Sequence, residues 1–305
     1  MSKWPKQVTI KEVGPRDGLQ NEKAFISTKD KIAWINQLSK TGLTYIEITS
    51  FVHPKWIPQL ADAAEVAANI EKIQGVTYAA LVPNLKGLER ALAAGVDEVS
   101  VFMSASETHN RKNINKSIAE TFPVLQEVVI QAKKVGKTVR GYVSTVFGCP
   151  YEGSIDVEQT IKVADKLFEM GIDELSLGDT IGVANPRQVQ EVLEQFLKRF
   201  PKEKLAMHFH NTRGTALANV LASLEMGITT FDSALGGLGG CPYAPGASGN
   251  LATDDLLYML DGMGIATGVQ MELLVKAALF IQEKIGRKLN SHYLQTLNES
   301  ECQLS

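Results

Sequence analysis

The stretch Lys204-Leu-Ala-Met-His-Phe-His-Asn211 has the pattern of a short buried strand that carries two histidines. Side chains alternate between the two faces of a strand, so His208 and His210 share one face while Met207 and Phe209 share the other. Two imidazoles that project from one strand can chelate a divalent metal. The alternative is a strand end with two polar residues, and the rest of the chain decides between these interpretations.

Short strands of this kind recur along the chain and alternate with longer amphipathic stretches. The predicted strands are Val8–Val13, Leu43–Thr49, Val76–Val82, Glu98–Met103, Lys137–Val146, Glu174–Leu177, Lys204–His210 and Thr229–Leu235. Examples of predicted helices are Thr28–Lys40, Gln59–Ile73, Leu85–Ala94, Ile118–Val135, Val157–Met170, Pro186–Phe200 and Ala216–Met226. Glycines recur after these helices, which is typical of a helix that ends before the next strand.

Eight such β/α units match the size of a (β/α)8 TIM barrel, an α/β fold. A doubly wound open sheet is the alternative, but no Gly-x-Gly-x-x-Gly follows the first strand. One more amphipathic stretch, Met271–Ile285, comes after the eighth unit. We therefore expect a single catalytic domain over residues 1–305, in which residues 265–305 form a C-terminal helical extension packed on the barrel.

Composition and charge narrow the class of protein. Of the 305 residues, 44% are hydrophobic, which is enough for a sizeable core. The 31 basic and 34 acidic residues give a net charge of −3, and no basic stripe or charged tail is present in the sequence. This pattern argues against a nucleic-acid partner.

Cysteine usage and apolar run lengths indicate the compartment. The three cysteines are far apart, without a C-x-x-C pair, so neither a disulfide framework nor a structural zinc site is expected. The N-terminal residues lack the apolar core of a signal peptide, and no apolar run is long enough to cross a membrane. We expect a cytoplasmic protein with no membrane partner.

If the fold is a barrel, catalytic residues belong at the carboxyl ends of its strands. The first strand is followed by Gly14-Pro-Arg-Asp-Gly-Leu-Gln-Asn-Glu22. A turn accounts for the glycines and for Asp17. The neighbouring Arg16 and Asp17 would also suit a cation for a carbonyl group and a metal ligand.

Glu47 lies in the second predicted strand between two isoleucines. With Ile46 and Ile48 facing the helices, the carboxylate of Glu47 must point into the barrel. A buried carboxylate needs a partner or a shifted pKa, so a charged group is expected nearby. Arg16 and the metal ligands are both candidate partners.

Three further polar positions follow the sixth and eighth strands. Asp179 follows the sixth strand, where it could also cap the next helix. The eighth strand leads into the segment 236–250, which has six glycines in fifteen residues and is predicted to be a mobile lid that closes over a ligand. Cys241 lies between Gly240 and Pro242 in this lid and is interpreted as a reactive thiol. Asn250 ends the segment with an amide oxygen suited to a divalent ion.

Asp17, His208, His210 and Asn250 together offer two oxygens and two imidazole nitrogens, with room for substrate or water. Mixed oxygen and nitrogen ligation with open positions favours Mg²⁺ or Mn²⁺ over zinc. The sequence therefore predicts a divalent metal site at the end of a barrel.

The remaining histidines, Cys149 and the stretch 112–115 are weaker candidates for the site. His53, His109 and His292 have no matched partner and are expected on the surface or in loops. Cys149 either lines the mouth of the site or is a small buried residue. The stretch 112–115 either meets a phosphate-bearing ligand or begins a helix.

Taken together, these residues resemble the 3-hydroxy-3-methylglutaryl-CoA lyase family, in its bacterial form, among the metal-dependent TIM-barrel lyases and condensing enzymes. The glycine-rich loop with its cysteine separates this family from the related synthases, which share the Arg-Asp and His-x-His elements. The matching stretches are Val13–Glu22, Ile46–Val52, Gly148–Gly153, Leu177–Gly182 and Gly236–Asn250.

The resemblance implies a lyase that cleaves 3-hydroxy-3-methylglutaryl-CoA to acetoacetate and acetyl-CoA, a step of leucine degradation, and that forms a homodimer. It implies that Arg16 faces the thioester carbonyl, that Arg16 and Gln20 bind the acyl-CoA substrate, and that Cys241 is the proton donor. The implied metal ligands are those already predicted from the residues. Candidates for the base are Asp17, Glu47, Asp179 and His208.

One stretch departs from the family. The strand end reads His210-Asn-Thr-Arg-Gly-Thr215, where the family commonly has His-Asp-Thr-Tyr-Gly-Gln. The predicted ligands are kept, but the acyl-chain preference depends on this region. The competing interpretations are a related lyase or condensing enzyme for another 3-hydroxyacyl-CoA or a 2-oxo acid, and a CoA-ester-binding barrel without turnover.

Overall fold

A computed structural model describes residues 4–239 and 249–297 of the chain. Its eight parallel strands form a closed barrel in which each strand pairs with the next and the last pairs with the first. The strands are β1 (Thr9–Glu12), β2 (Tyr45–Ser50), β3 (Thr77–Leu81), β4 (Glu98–Ser104), β5 (Thr138–Ser144), β6 (Glu174–Asp179), β7 (Leu205–Phe209) and β8 (Thr230–Ser233). The predicted barrel and its eight strands are confirmed.

Helices surround the barrel. They are α1 (Thr28–Ser39), α2 (Ala63–Asn69), α3 (Leu85–Ala93), α4 (Glu107–Ile114), α5 (Ile118–Lys134), α6 (Val157–Met170), α7 (Pro186–Phe196), α8 (Ala216–Glu225), α9 (Thr253–Gly262), α10 (Met271–Ile285) and α11 (His292–Thr296). Their apolar faces and the outer faces of the strands form one continuous core. Beyond the eighth unit, α10 packs against α1.

The prediction of one helix over Gln59–Ile73 is wrong in its extent. A short 3-10 turn at Pro58–Leu60 comes first, and α2 follows only from Ala63. The helix ends at Asn69 because Ile70 is extended, with ψ of 148°. Beyond it, the backbone N–H of Glu71 donates to the side chain of Asn36 on α1, which draws the chain away from a helical path.

The interior of the barrel is charged rather than aliphatic. Barrels of this class are usually filled by branched apolar side chains. Here Arg140 on β5 is fully buried and pairs with Glu174 on β6, at 2.6 Å, and with Asp232 on β8, at 2.7 Å. Lys11 on β1 reaches the same Glu174 at 2.8 Å. Ion pairs that cross the barrel thus lie beneath the carboxyl ends of the strands.

Candidate metal centre and active-site cavity

Asp17, His208 and His210 come together at the carboxyl end of the barrel. Asp17 lies in a π-helical turn, Gly14–Gly18, that follows β1, while His208 and His210 lie at the end of β7. One ligand atom from each residue lies within 4.8 Å of the others, and Nε2 of His210 is 3.9 Å from Oδ2 of Asp17. Both imidazoles are buried. The structure therefore forms a group that could hold a metal ion.

Asn250 lies beside this group because its segment runs along the end of β7. The backbone N–H of Asn211 donates to the carbonyl of Gly249, and that of Leu251 donates to Phe209, at 2.7 and 2.9 Å. The amide Nδ2 of Asn250 then donates to Oδ2 of Asp17 at 2.8 Å. Its Oδ1 is buried and has no hydrogen-bond partner within the described part of the chain. A buried amide oxygen without a partner fits a metal ligand.

A glycine is required next to Asn250. Gly239 has φ of +91°, and a Cβ added there would lie 2.6 Å from Nδ2 of Asn250. Any side chain at this position would be strained and would displace the amide that binds Asp17. Gly239 thus serves the geometry of the site.

Charge and burial keep Asp17 and His210 in the protonation states that bind a cation. Burial alone would raise the pKa of Asp17, but the charge of Arg16, aided by the two imidazoles, lowers it to about 2. Burial, aided by the nearby His208, lowers the pKa of His210 to about 3. At neutral pH the carboxylate is ionised and the imidazole of His210 is neutral. This donor set fits a divalent cation.

Arg16 is fixed by two acidic neighbours. Its Nε donates to Oε2 of Glu47 at 2.5 Å, and its Nη1 pairs with Oδ1 of Asp17. Although burial lowers the pKa of Arg16, Glu47 and Asp17 raise it well above its usual range, so the guanidinium remains charged. Of the two candidate partners predicted for Glu47, the structure shows Arg16. The other oxygen of Glu47, Oε1, is buried without a hydrogen-bond partner in the ranges described.

Glu12 ties the turn that carries Arg16 and Asp17 to the segments that follow the neighbouring strand β8. Its Oε1 accepts hydrogen bonds from the backbone N–H groups of Gly14 and Leu235, and its Oε2 accepts one from Thr253. Glu12 is fully buried, and burial raises its pKa to about 7. One carboxylate therefore joins β1, β8 and the start of α9.

The other candidate residues differ in their surroundings. Asp179 accepts hydrogen bonds from the backbone N–H groups of Val183 and Ala184, both at 2.9 Å, so both of its oxygens hold the turn before α7. Burial raises its pKa. Nε2 of Gln20 donates to Oδ1 of Asp17 at 3.2 Å. Cys241, with residues 240–248, lies outside the described residues.

A cavity of about 350 Å³ opens over this group and is lined by Arg16, Asp17, Gln20, Tyr142, His208 and His210, among others. A second cavity of about 590 Å³ adjoins it. The two share Val52, Trp56, Ile57, Phe102 and Asn113 as lining residues. These shared residues place the two cavities side by side at the carboxyl end of the barrel.

His109 is a correction to the sequence-based expectation. It was expected on the surface or in a loop, but it lies on α4, is 6% exposed and lines the first cavity. Helix α4 is polar except for Ile114 at its end, so its sequence has no apolar periodicity to reveal it; the cap at Ser106 was the available signal. His53 and His292 are exposed, as expected.

The structure decides between the two alternatives for Cys149, but it places the stretch 112–115 where the helix-entry interpretation did not expect it. Cys149 is a small buried residue whose Sγ lies 3.0 Å from Oγ of Ser106. The stretch 112–115 lies at the end of α4 rather than at the beginning of a helix, and Asn115 is its left-handed cap.

Sequence reasoning missed Arg140, Tyr142 and Asp232. The ring of Tyr142 lies between two guanidinium groups, with its centroid 5.4 Å from Cζ of Arg16 and 4.6 Å from Cζ of Arg140. Asp232 lies 3.2 Å from Nδ1 of His208. The alternation of Arg140, Tyr142 and Ser144 in a predicted barrel strand was a usable signal for inward-facing polar groups.

The stretch His210–Thr215, which departs from the family pattern, connects two loops through hydrogen bonds. Nη1 of Arg213 donates to the carbonyls of Ile181 and Gly182, at 3.0 and 2.9 Å. The hydroxyl of Thr215 donates to the carbonyl of Ala184 at 2.9 Å. These contacts fix the loop after β7 to the loop after β6, at the rim of the site.

Residues 7–281 match the HMGL-like family. The chain is 63% identical to hydroxymethylglutaryl-CoA lyase YngG of Bacillus subtilis over 97% of its own length and 99% of that protein. A crystal structure of the Bacillus subtilis HMG-CoA lyase is similar with a TM-score of 0.95 and 64% identity, covering 96% of this chain and 98% of that one.

A further similar structure is an HMG-CoA lyase from Acinetobacter baumannii in complex with coenzyme A and 3-methylmalate. Its TM-score is 0.93 and its identity 40%, and it covers 99% of this chain and 98% of that one. No helix in the described ranges is both long and apolar enough to span a bilayer.

Proposed function

This chain belongs to the HMGL-like family, and we propose that it cleaves 3-hydroxy-3-methylglutaryl-CoA to acetoacetate and acetyl-CoA. The observation that carries the proposal is the convergence of Asp17, His208 and His210 beside the charged Arg16 at one cavity. Near-full-length relatives with the name of this lyase support it. The proposed enzyme is a carbon–carbon lyase.

The proposed metal ligands are Asp17, His208, His210 and Asn250, and the proposed ion is Mg²⁺ or Mn²⁺. The unpartnered amide oxygen of Asn250 and the ionised Asp17 support this donor set. When bound, the ion would make the tertiary alcohol of the substrate more acidic.

Arg16 binds the thioester end of the acyl group. Glu47 and Asp17 hold its guanidinium in place and keep it charged in a buried site, where its interaction with developing negative charge is strong. Gln20 lines the same cavity and binds substrate alongside it. The CoA portion extends through the second cavity; the complex of the Acinetobacter relative with coenzyme A supports this choice of substrate class.

The cleavage begins when a base takes the proton of the C3 hydroxyl. The C2–C3 bond then breaks, its electron pair passes to the thioester enolate, and the C3 oxygen becomes the ketone of acetoacetate. Asp17, Glu47, Asp179 and His208 are the candidate bases. Both oxygens of Asp179 already accept backbone hydrogen bonds, which argues against Asp179 as the base.

Cys241 protonates the enolate carbon to give acetyl-CoA. Arg16 offsets the charge of the enolate oxygen until this transfer is complete, and a closed cavity excludes water that would otherwise protonate the enolate. This role of Cys241 rests on the sequence motif alone.

We also propose a domain organisation, an oligomeric state and a compartment for the protein. Residues 1–305 form one catalytic domain with residues 265–305 packed on the barrel, which the contact of α10 with α1 supports. The protein acts as a homodimer in the cytoplasm, in leucine degradation, with no nucleic-acid or membrane partner. The scattered cysteines and the bacterial relative support the cytoplasm.

The test is release of acetoacetate from 3-hydroxy-3-methylglutaryl-CoA with Mg²⁺ or Mn²⁺ added, and with EDTA as the control. We expect turnover that EDTA abolishes and that either cation restores. No cleavage by the metal-loaded protein would overturn the proposal, and a panel of other 3-hydroxyacyl-CoA esters and 2-oxo acids would then identify the substrate of a related lyase or condensing enzyme.

A further inference from the structure

A buried carboxylate lies directly behind one of the two histidines of the site. His208 on β7 and Asp232 on β8 are paired in the register of the two strands. Oδ2 of Asp232 lies 3.2 Å from Nδ1 of His208, and the exposed fractions of the two side chains are 0% and 6%. The closed barrel therefore sets this contact, because neighbouring residues on paired strands project to the same side.

The partners of Asp232 require it to be an ionised acceptor. Arg140 donates to both of its oxygens, from Nη2 to Oδ1 at 2.7 Å and from Nη1 to Oδ2 at 3.2 Å. Ser176 donates to Oδ2 at 2.9 Å. A guanidinium has no acceptor atom, and an ionised carboxylate has no donor. The hydrogen in the contact with His208 must therefore sit on Nδ1 of the imidazole.

We propose that Asp232 is a positioning residue that holds His208 in the Nδ1–H tautomer, so that Nε2 offers its lone pair to the group formed with Asp17 and His210. This inference rests on the proposed metal site and adds to it a residue that touches neither substrate nor metal. Fixing a ligand imidazole through its second nitrogen orients the ring and makes it a better donor.

The two histidines differ in the hydrogen bonding of Nδ1. Nδ1 of His210 is buried and has no hydrogen-bond partner in residues 4–239 and 249–297. In these ranges no carboxylate is hydrogen-bonded to its Nδ1. His208 is thus the pre-oriented ligand of the pair, and Asp232 is the residue that makes it so.

Glu174 provides a matched control. Both Asp232 and Glu174 pair with the buried guanidinium of Arg140, at 2.7 and 2.6 Å. Only Asp232 contacts His208. Asp232→Asn and Glu174→Gln each remove one negative charge beside the buried Arg140, but only the first disturbs the histidine.

The first readout is the affinity for Mn²⁺ alone, measured by calorimetry on protein freed of metal with EDTA and then dialysed. We expect Asp232→Asn to weaken binding about 10- to 100-fold and Glu174→Gln to change it less than about 3-fold. Equal losses of affinity in the two variants would show a general effect of the charges beside Arg140 and overturn the proposal.

The second readout needs no variant of Asp232. Long-range ¹⁵N–¹H correlation spectra of the metal-free wild type report which ring nitrogen of each histidine carries hydrogen, and His208→Gln assigns the signal. We expect the Nδ1–H form for His208. The Nε2–H form would refute the inference even if Asp232→Asn failed to fold. Because neither readout uses turnover, absence of lyase activity with an Nδ1–H His208 would refute the proposed reaction only.

Discussion

Nδ2 of Asn250 donates a 2.8 Å hydrogen bond to Oδ2 of Asp17, although 233 residues separate the two in the chain. The contact uses the donor end of the amide and leaves Oδ1 buried without a protein partner in the described ranges. It also orients the carboxylate of Asp17. Asn250 thus combines a candidate ligand atom with a contact that positions a second ligand.

Replacing this residue tests both roles. Asn250→Ala removes Oδ1 and frees Asp17, so we expect the affinity for Mn²⁺ to fall at least about 10-fold. Equilibrium dialysis of the metal-free protein measures the change, with Asn290→Ala, at an exposed asparagine, as the control. An affinity equal to that of the wild type would remove Asn250 from the ligand set.

Arg16→Met should reduce kcat by about 10²–10³ with a smaller change in KM, because the guanidinium acts on charge that develops during cleavage. Steady-state release of acetoacetate measures both constants. Arg187→Met, at a side chain that is 89% exposed, should leave kcat and KM unchanged. Arg16→Met leaves Glu47 buried without its cation, so a thermal melt must accompany the kinetics. A rise in KM alone would instead assign Arg16 to substrate binding only.

Cys241→Ala should lower kcat by about 10²–10⁴, the usual range for loss of an acid–base group. Cys149→Ala is the matched control, since Cys149 is buried against Ser106 and has no assigned part in the reaction. The same assay compares both variants with the wild type. Full activity of Cys241→Ala would keep the lyase reaction and exclude this thiol as its proton donor.

Glu12→Gln should flatten the dependence of stability on pH. The pKa of Glu12 is raised from 4.5 to about 7 in the folded protein, so the folded state binds this proton more tightly than the unfolded state. Its contribution to stability is complete below about pH 4.5 and is lost as pH rises through 7. Between pH 5 and pH 8 the wild type should lose about 2–3 kcal/mol through this group.

Urea unfolding at the two pH values measures that loss. Glutamine keeps an oxygen for the N–H groups of Gly14 and Leu235 but does not titrate, so the loss should largely disappear in Glu12→Gln. Asp254→Asn is the control. Burial raises the pKa of Asp254 to about 6, so Asp254 contributes a smaller share of the stability lost between pH 5 and pH 8. This variant should remove only that share of the loss. Parallel profiles for wild type and Glu12→Gln would contradict the assignment.

The strands could be predicted because their signals are local. Each combines a short apolar run with a neighbouring helix and, in many cases, a glycine at the junction, as at Gly171 before β6. Glu47 was located in the same way, from its alternation with two isoleucines. Its partner was one of two candidates, and only the folded chain showed that the partner is Arg16.

What the sequence could not reveal depends on distant residues. Asp232 has no local motif, and its importance comes from Arg140, 92 residues away in the chain, and from His208 on the neighbouring strand. Helix α4 has a single strongly apolar residue, Ile114, so periodicity could not predict the helix, and His109 was misplaced as a result. Alternation along a strand can show that a polar side chain faces into a closed barrel, but it does not show which distant residue is its partner.

The barrel closes where β1 pairs with β8, and Asp17 and Asn250 follow these two strands on opposite sides of that seam. Of the four candidate donors, Asp17 alone lies in the first half of the sequence; His208, His210 and Asn250 all belong to its final third. A nascent chain on the ribosome therefore holds a single donor for most of its synthesis and cannot gather a cation early. The ion can bind with all four donors only after the last strand has docked, so an occupied site would show that the fold is complete.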